Sequence, residues 1–200
     1  MLYVNQRQYP DMEYITRLGM PGEDTHTTIS SSACGLCSAC MIVDQLTDRV
    51  LTLEHARQIA YDTKANMGRG TSMKPFAPVF AELFGLEYHA TDSEEELAEH
   101  LRKGGKAILH VRGTHDGVLG LFARSGHYIT AIGINGDELT ILDPSYERGK
   151  YDEPTRKDKV RFDYPFVYCK MKYVKEEQAP NAPEGKYIHL FSRKSQELEK

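Results

Sequence analysis

Three of the chain's four cysteines lie within one short stretch, SSSACGLCSACMIV, at positions 34, 37 and 40. Cysteines at this spacing could bind a metal ion, form a redox pair, supply one nucleophile with two bystanders, or serve as small core residues. Each of these uses requires a different arrangement of the side chains in space. The residues that follow the cysteines therefore decide which uses are compatible with the sequence.

The stretch predicts a helix that begins near residues 32 to 34, and the helix makes the three cysteines non-equivalent. At about 100° per residue, the apolar side chains form one stripe, about 80° to 200° from Cys34. Cys40 borders this stripe and is predicted to be a small core residue, whereas Cys37 lies on the flank and its role stays open. Cys34 lies in the first turn, where backbone N–H groups and the helix dipole lower the pKa of a thiol. About 9 Å of helical rise separates Cys34 from Cys40, too far for a shared metal ion.

A thiolate nucleophile requires a base, and His127 is the histidine with the most suitable surroundings. It follows a glycine and opens HYITAIGINGDELTILDPS, in which one predicted strand leads to a second strand ending at Asp143 and Pro144. A Cys-His-acid triad needs a cysteine on a helix, a histidine on a strand and a group that fixes the imidazole tautomer. We therefore predict Cys34 as nucleophile, His127 as general base and Asp143 as the orienting carboxylate.

The register of this hairpin tests the triad, because side chains alternate between the two faces of a strand. A strict two-residue turn at Asn135 and Gly136 would direct Asp143 to the face opposite His127. A three-residue connection ending at Asp137, or a β-bulge, would bring the two side chains to the same face on a diagonal. We predict one of these two irregularities.

The sequence predicts that the elements that position these residues are helices in the first half of the chain and strands in the second half. Helices are predicted near 52–63, 73–84 and 92–103, and strands at 106–112, 127–134, 138–143 and near 160–174 and 186–192. We expect a single α+β domain over 1–200, with a mostly helical lobe of about 1–105 and a mostly strand lobe of about 106–200. The helix that starts at Cys34 should pack on the antiparallel sheet that carries His127, with an active cleft between them.

Two long connections stand out, 64–72 and 113–126. The second, GTHDGVLGLFARSG, leads directly into His127 and is longer than an ordinary connection. Its glycines permit hinge motion, and we predict that it forms a wall or lid over the cleft; the alternative is that its apolar residues anchor it to the core. The sequence leaves both readings open.

Composition excludes several classes of partner. A formal net charge of −4 argues against a nucleic-acid-binding surface, which requires a basic stripe. Apolar runs such as YITAIGI are shorter than the roughly 20 residues that cross a bilayer, and MLYVNQRQYP has no signal-peptide pattern. We expect a cytoplasmic protein if the chain is complete, and a secreted or cell-surface protein if a leader was removed.

The sequence resembles the papain-like cysteine peptidases related to the bacteriocin-processing, double-glycine-leader peptidases, in their stand-alone bacterial branch. TTISSSACGLCSACMIV is similar to that family's Gly- or Ser-rich approach to a Cys-Gly-x-x-Ser-x-x-Met helix start. SGHYITAIGINGDELTILDPS is similar to its Gly-His strand, Gly-Asp turn and Asp-Pro end. The resemblance spans about residues 3 to 145.

The resemblance implies a peptidase with Cys34, His127 and Asp143 as its triad, a peptide or protein substrate, and no metal or organic cofactor. It also implies that a glutamine in YVNQRQ, Gln6 with Gln8 as second choice, helps to hold the oxyanion.

Where the family usually has proline and threonine after Cys-Gly, this chain has Leu36 and Cys37, so its substrate preference stays open. Two alternatives also remain open. The same triad could catalyse transamidation, or the chain could be a papain-like module that binds a peptide or a metal ion without turnover.

Overall fold

A seven-stranded sheet, in which each neighbouring pair is antiparallel, dominates the computed structural model, which describes residues 1–177 and 186–194. Its order is β1-β7-β2-β3-β4-β6-β5. The strands are β1 (Leu86–Thr91), β2 (Lys106–Val111), β3 (His127–Asn135), β4 (Glu138–Leu142), β5 (Val160–Asp163), β6 (Phe166–Lys170) and β7 (Ile188–Arg193). The helices are α1 (Ile29–Ser32), α2 (Cys34–Leu46), α3 (Leu53–Asp62), α4 (Met73–Leu83), α5 (Glu94–Arg102) and α6 (Met171–Glu177), preceded by a 3₁₀ turn at Gln6–Gln8.

Helices α3 and α5 begin where their capping residues predict. The Thr52 hydroxyl accepts a hydrogen bond from the backbone N–H of His55, and the Ser93 hydroxyl accepts one from that of Glu96. Helix α5 also carries three acidic residues in its first turn, where the helix dipole favours them. The predicted helices are therefore present, with bounds within two residues of the expected ones.

Helix α2 is buried along nearly its whole length, because it packs on β2 and β3 on one side and on α3 and α4 on the other. Residues on its polar side, such as Ser38 and Met41, are as inaccessible as those on its apolar stripe. The apolar stripe predicted from the sequence therefore marks only one of the two sides on which α2 is packed.

Two hydrophobic clusters cover the two faces of the sheet. The first joins α2, α3 and α4 to strand residues such as Ile108 and Phe191, and the second joins α5 and α6 to residues such as Leu109 and Ile129. Successive residues of β2, Ile108 and Leu109, belong to opposite clusters, as the alternation of a strand requires. The sheet is therefore buried on both faces in its centre.

The β3–β4 hairpin closes with a two-residue turn and contains a bulge. Asn135 pairs with Glu138, and the first turn residue, Gly136, adopts φ +61°. Ile132 is an extra residue on β3, since the register shifts between Ala131 and Gly133. Of the two predicted irregularities, the bulge is confirmed; the connection has two residues, Gly136 and Asp137, one position later than the strict turn that would have separated His127 from Asp143.

The end of the chain differs most from the sequence-based expectation. The predicted strand at 160–174 is instead the β5–β6 hairpin followed by helix α6, and the unpredicted strand β1 pairs with β7 at one edge of the sheet. Strand β7 lies between β1 and β2, so the last strand in the chain order separates the first two in the sheet. Within 1–177 and 186–194, no helix is long and apolar enough to cross a membrane.

Candidate active site

Cys34 is the first residue of α2 and is partly exposed, whereas Cys37, Cys40 and Cys169 are buried. Its Sγ accepts a hydrogen bond from the backbone N–H of Tyr128 at 3.5 Å. The prediction that Cys40 is a small core residue is confirmed. Cys37, whose role the sequence leaves open, is fully buried. Cys34 is therefore the cysteine that a reagent can reach.

The helix start is packed tightly against the segment before α4. A Cβ added at Gly35 would lie 2.8 Å from Met73 Cε and 2.9 Å from Thr71 Cβ. A glycine after Cys34 thus lets the nearby chain approach closely and fixes the position of the helix start.

His127 is the first residue of β3 and lies between Cys34 and Asp143. Its Nε2 is 2.8 Å from Asp143 Oδ1, and a side-chain hydrogen bond links its ring to the Cys34 thiol. Because Nε2 contacts Asp143, Nδ1 is the nitrogen left for Cys34. The side chains of His127 and Asp143 are 4% and 1% exposed, whereas Cys34 is partly exposed. Of these three residues, solvent therefore reaches only Cys34.

The bulge explains why the two hairpin side chains meet. Thr130 pairs with Leu142, and continuing this register by one residue places Ile129 opposite Asp143. His127 is two residues from Ile129 and so shares its face. Without the extra residue in β3, Asp143 would lie on the other face of the sheet.

The electrostatics of Cys34 and His127 favour a thiolate beside an imidazolium. Burial alone would raise the pKa of the Cys34 thiol, but the hydrogen bond and charge of His127, with the N–H groups of Tyr128 and Gly35, lower it below its ordinary value. Burial alone would lower the pKa of His127, yet its bonds to Asp143 and Cys34 raise it. The two shifts have opposite signs, as an ion pair requires.

Asp143 receives hydrogen bonds at both of its carboxylate oxygens. Oδ1 accepts from the Ser145 backbone N–H at 2.9 Å in addition to its contact with His127, and Oδ2 accepts from Lys150 Nζ at 2.5 Å and Tyr151 Oη at 2.6 Å. Burial alone would raise the pKa of Asp143, but the Lys150 charge and the His127 bond hold it far below its usual range. Asp143 is therefore a carboxylate rather than a carboxylic acid.

Gln6 lies at the same end of the sheet, in the 3₁₀ turn. Its backbone N–H donates to the Pro144 carbonyl at 2.7 Å, and its Nε2 donates to the Ser30 carbonyl at 2.7 Å. Gln6 is buried, whereas Gln8 is exposed. These bonds place the Gln6 side chain between the segment before Cys34 and the segment after Asp143, and they make Gln8 the weaker candidate.

Sequence reasoning missed the three residues that complete the surroundings of Asp143, namely Ser145, Lys150 and Tyr151. All three follow β4 in the stretch SYERGKY, which reads as a polar surface turn. A buried carboxylate needs partners, and a search for donors shortly after Asp143 could have identified them. In the described ranges, no group of three or more His, Cys, Asp or Glu side chains is arranged to hold a metal ion.

The chain matches no family model and no curated protein sequence, but solved structures match it over most of its length. The peptidase domain of Streptococcus ComA, a bi-functional ABC transporter involved in a quorum sensing pathway, is 14% identical with a TM-score of 0.51, over 80% of this chain and 90% of that one. A C39-like peptidase from Bacillus anthracis is 12% identical with a TM-score of 0.58, over 98% of this chain and 96% of that one. A double glycine motif protease from an AMS/PCAT transporter, in complex with the leader peptide, is 17% identical with a TM-score of 0.44, over 92% and 95%.

The first two similarities show the fold of this chain. It is the α+β papain-like fold of C39 peptidase domains, with the cysteine-bearing helix packed on an antiparallel sheet. The predicted fold class and the predicted structural resemblance are thereby confirmed.

Proposed function

We propose that this protein is a cysteine peptidase that hydrolyses peptide bonds through Cys34, His127 and Asp143. The observation that carries the proposal is the continuous set of hydrogen bonds from the partly exposed Cys34 thiol through His127 to the buried Asp143 carboxylate. The proposal is supported by the fold, since the peptidase domain of ComA and the C39-like peptidase from Bacillus anthracis share it.

In the proposed reaction, the Cys34 thiolate attacks the carbonyl carbon of the scissile bond, and the carbonyl oxygen becomes an oxyanion. The backbone N–H of Cys34 and the amide of Gln6 stabilise this oxyanion. The His127 imidazolium then donates its proton to the leaving amine, which leaves a thioester on Cys34. His127 next removes a proton from water, the resulting hydroxide attacks the thioester, and Cys34 is released with a carboxylic acid product.

Asp143 acts throughout as the group that orients His127. An ionised carboxylate at Nε2 fixes the tautomer that presents Nδ1 to the thiol, and it stabilises the imidazolium once that forms. The site requires no metal ion or organic cofactor for these steps.

Thiol labelling tests the nucleophile without knowledge of the substrate. We expect Cys34 to react with one equivalent of iodoacetamide near neutral pH much faster than the three buried cysteines, and His127→Ala to slow this reaction. His100→Ala is a matched control, because His100 is also partly buried but lies on α5, where its Nε2 contacts the Phe191 carbonyl. Equal and slow labelling of the four cysteines would contradict the proposal.

Cleavage profiling tests the reaction itself. A peptide library treated with the wild-type protein should gain new termini that are absent after treatment with Cys34→Ala. Adding a primary amine during the incubation separates hydrolysis from transamidation, because an acyl-enzyme captured by the amine yields an amide instead of an acid. A protein that labels rapidly at Cys34 but produces neither product would be a binding module that lacks turnover.

A further inference from the structure

Lys150 is a buried lysine whose ammonium group lies behind the proposed triad. Its Nζ donates to Asp143 Oδ2 at 2.5 Å, to Ser145 Oγ at 2.8 Å and to the Ser145 carbonyl at 3.2 Å. The side chains of Lys150 and Asp143 are 8% and 1% exposed. An ammonium group at such a depth is stable only because these acceptors replace its water.

The backbone around Lys150 is held in place independently of Asp143. Arg156 Nη1 donates to the Lys150 carbonyl at 3.2 Å, and the same guanidinium donates through Nε and Nη2 to the Gly120 carbonyl at 3.1 and 2.8 Å. Arg156 is itself buried. It thus links the segment that carries Lys150 to the segment that leads into His127.

Charges alternate along the series of contacting residues that runs from Lys150 to Cys34. When Cys34 is a thiolate and His127 an imidazolium, the order is Lys150 positive, Asp143 negative, His127 positive and Cys34 negative, which sums to zero. Removing the Lys150 charge would leave a net negative charge in a buried site. Every proton nearby would then be harder to remove, because the conjugate base would face one more uncompensated negative charge.

Other ionisable groups lie around this series and do not replace Lys150. They are Tyr3, Arg7, Tyr14, Cys37, His110, Tyr146, Tyr151 and Arg156. Arg7 pairs with the exposed Glu147 at 2.8 Å, and Arg156 bonds to backbone carbonyls. Apart from His127 itself, Lys150 is the one cation in the described part of the chain that an ion pair joins to Asp143.

We propose that Lys150 is a positioning residue that pins the Asp143 carboxylate towards His127 and supplies the positive charge that balances the Cys34 thiolate. The inference rests on the proposed function, because it assigns Lys150 to the same site. It gives a role in the site to the segment after Asp143, which the sequence resemblance does not cover.

The test measures the rate of iodoacetamide labelling at Cys34 as a function of pH in the full-length protein. In Lys150→Met, which removes the charge and keeps an unbranched side chain, the midpoint of the profile should move to higher pH by about one unit. This is the size expected for a unit charge about 12 Å away, beyond Asp143 and His127, at an effective dielectric constant of about 20. Lys150→Arg, which keeps the charge, should retain a midpoint close to that of the wild type.

Lys106→Met is the matched control, since Lys106 is also partly buried but donates to the Ile132 carbonyl. Its profile should coincide with that of the wild type. Circular dichroism checks that each variant is folded. If Lys150→Met does not fold, Lys150→Gln removes the charge while keeping a donor for Asp143, and the same shift is expected.

The outcomes separate the two proposals. An unshifted midpoint in a folded, neutral Lys150 variant overturns the role of Lys150, even when the wild type shows the low midpoint of a reactive thiolate. A wild-type midpoint near the ordinary thiol pKa of about 8.5 counts against the proposed function instead. A shift shared by Lys150→Met and Lys150→Arg would also overturn the role, because it would follow from packing and not from charge.

Discussion

Replacing Asp143 by asparagine removes a buried negative charge while conserving the size of the side chain. The carbonyl oxygen of the asparagine can accept on one side only, and its amino group must face donors on the other. Either the Lys150 and Tyr151 bonds or the His127 and Ser145 bonds are lost. The variant also leaves the Lys150 ammonium buried without a counter-charge.

Two estimates of the resulting destabilisation agree. Losing one partner of a buried ion pair typically costs about 3 to 5 kcal/mol. Losing two hydrogen bonds that involve a charged group, at about 1.5 to 3 kcal/mol each, gives a similar sum. We therefore expect Asp143→Asn to lower the free energy of unfolding by about 4 kcal/mol. For a chain of 200 residues this corresponds to a decrease in Tm of about 10 °C.

Thermal unfolding followed by circular dichroism measures this effect. Asp137→Asn is the matched control, because Asp137 lies at the tip of the same hairpin, is 69% exposed and reaches Lys170 at only 3.9 Å. Its Tm should change by no more than about 2 °C, since exposed ion pairs contribute little. Adding Lys150→Met to Asp143→Asn should recover part of the loss, as the unpaired ammonium is then removed. A Tm of Asp143→Asn within about 2 °C of the wild type would refute the reasoning.

Three further predictions follow from the described contacts. The kcat/KM for a cleaved peptide should fall at acid pH as Cys34 becomes protonated, because the pKa of its thiol is lowered. It should also fall at alkaline pH as His127 loses its proton, because the pKa of its imidazole is raised. A kcat/KM profile with a single rise through an ordinary thiol titration would contradict this prediction. Gly35→Ala should lower stability by about 1 to 3 kcal/mol in denaturant unfolding, since its methyl group would overlap the neighbouring segment. Phe122→Ser should lower Tm clearly, because the Phe122 side chain is 0% exposed, whereas Val118→Ser should not, because Val118 is 46% exposed. Equal effects of the two substitutions on Tm would be inconsistent with anchoring of the segment 113–126.

The exposures of Phe122 and Leu121 bear on the two readings of the segment 113–126. Both side chains are buried in the cluster beneath α5 and α6, so the apolar residues at this end of the segment anchor it. Among the large apolar residues of the segment, Val118, nearer the tip, is the exposed one. Sequence patterns could not separate these roles, because an apolar residue in a loop has the same local signature whether it packs inward or faces a ligand.

The components of the site that sequence predicts are those with local signatures. The helix start at Cys34 follows from periodicity, and the strand at His127 follows from alternating apolar residues. No sequence pattern around Ile132 indicates the bulge in β3; it is predicted, as one of two alternatives, only from the requirement that His127 and Asp143 meet.

The components that sequence misses depend on contacts between distant segments. Strand β7 lies between β1 and β2 through pairings such as Leu109 with Ile188, and no local pattern encodes such a partner. Lys150 stands in a charged stretch, and charged residues are mostly exposed, so burial could not be anticipated for it. Its role becomes visible only once Asp143 is known to be buried beside it.

The bulge in β3 also restricts how the chain between His127 and Asp143 can change in length. Inserting or deleting one residue within a paired strand reverses the parity of the hairpin and turns the carboxylate away from the imidazole, as deletion of Ile132 would do. Adding two residues at the tip, around Gly136, lengthens both strands and leaves the pair on one face. The paired strands of this hairpin can therefore be extended only by an even number of residues in total.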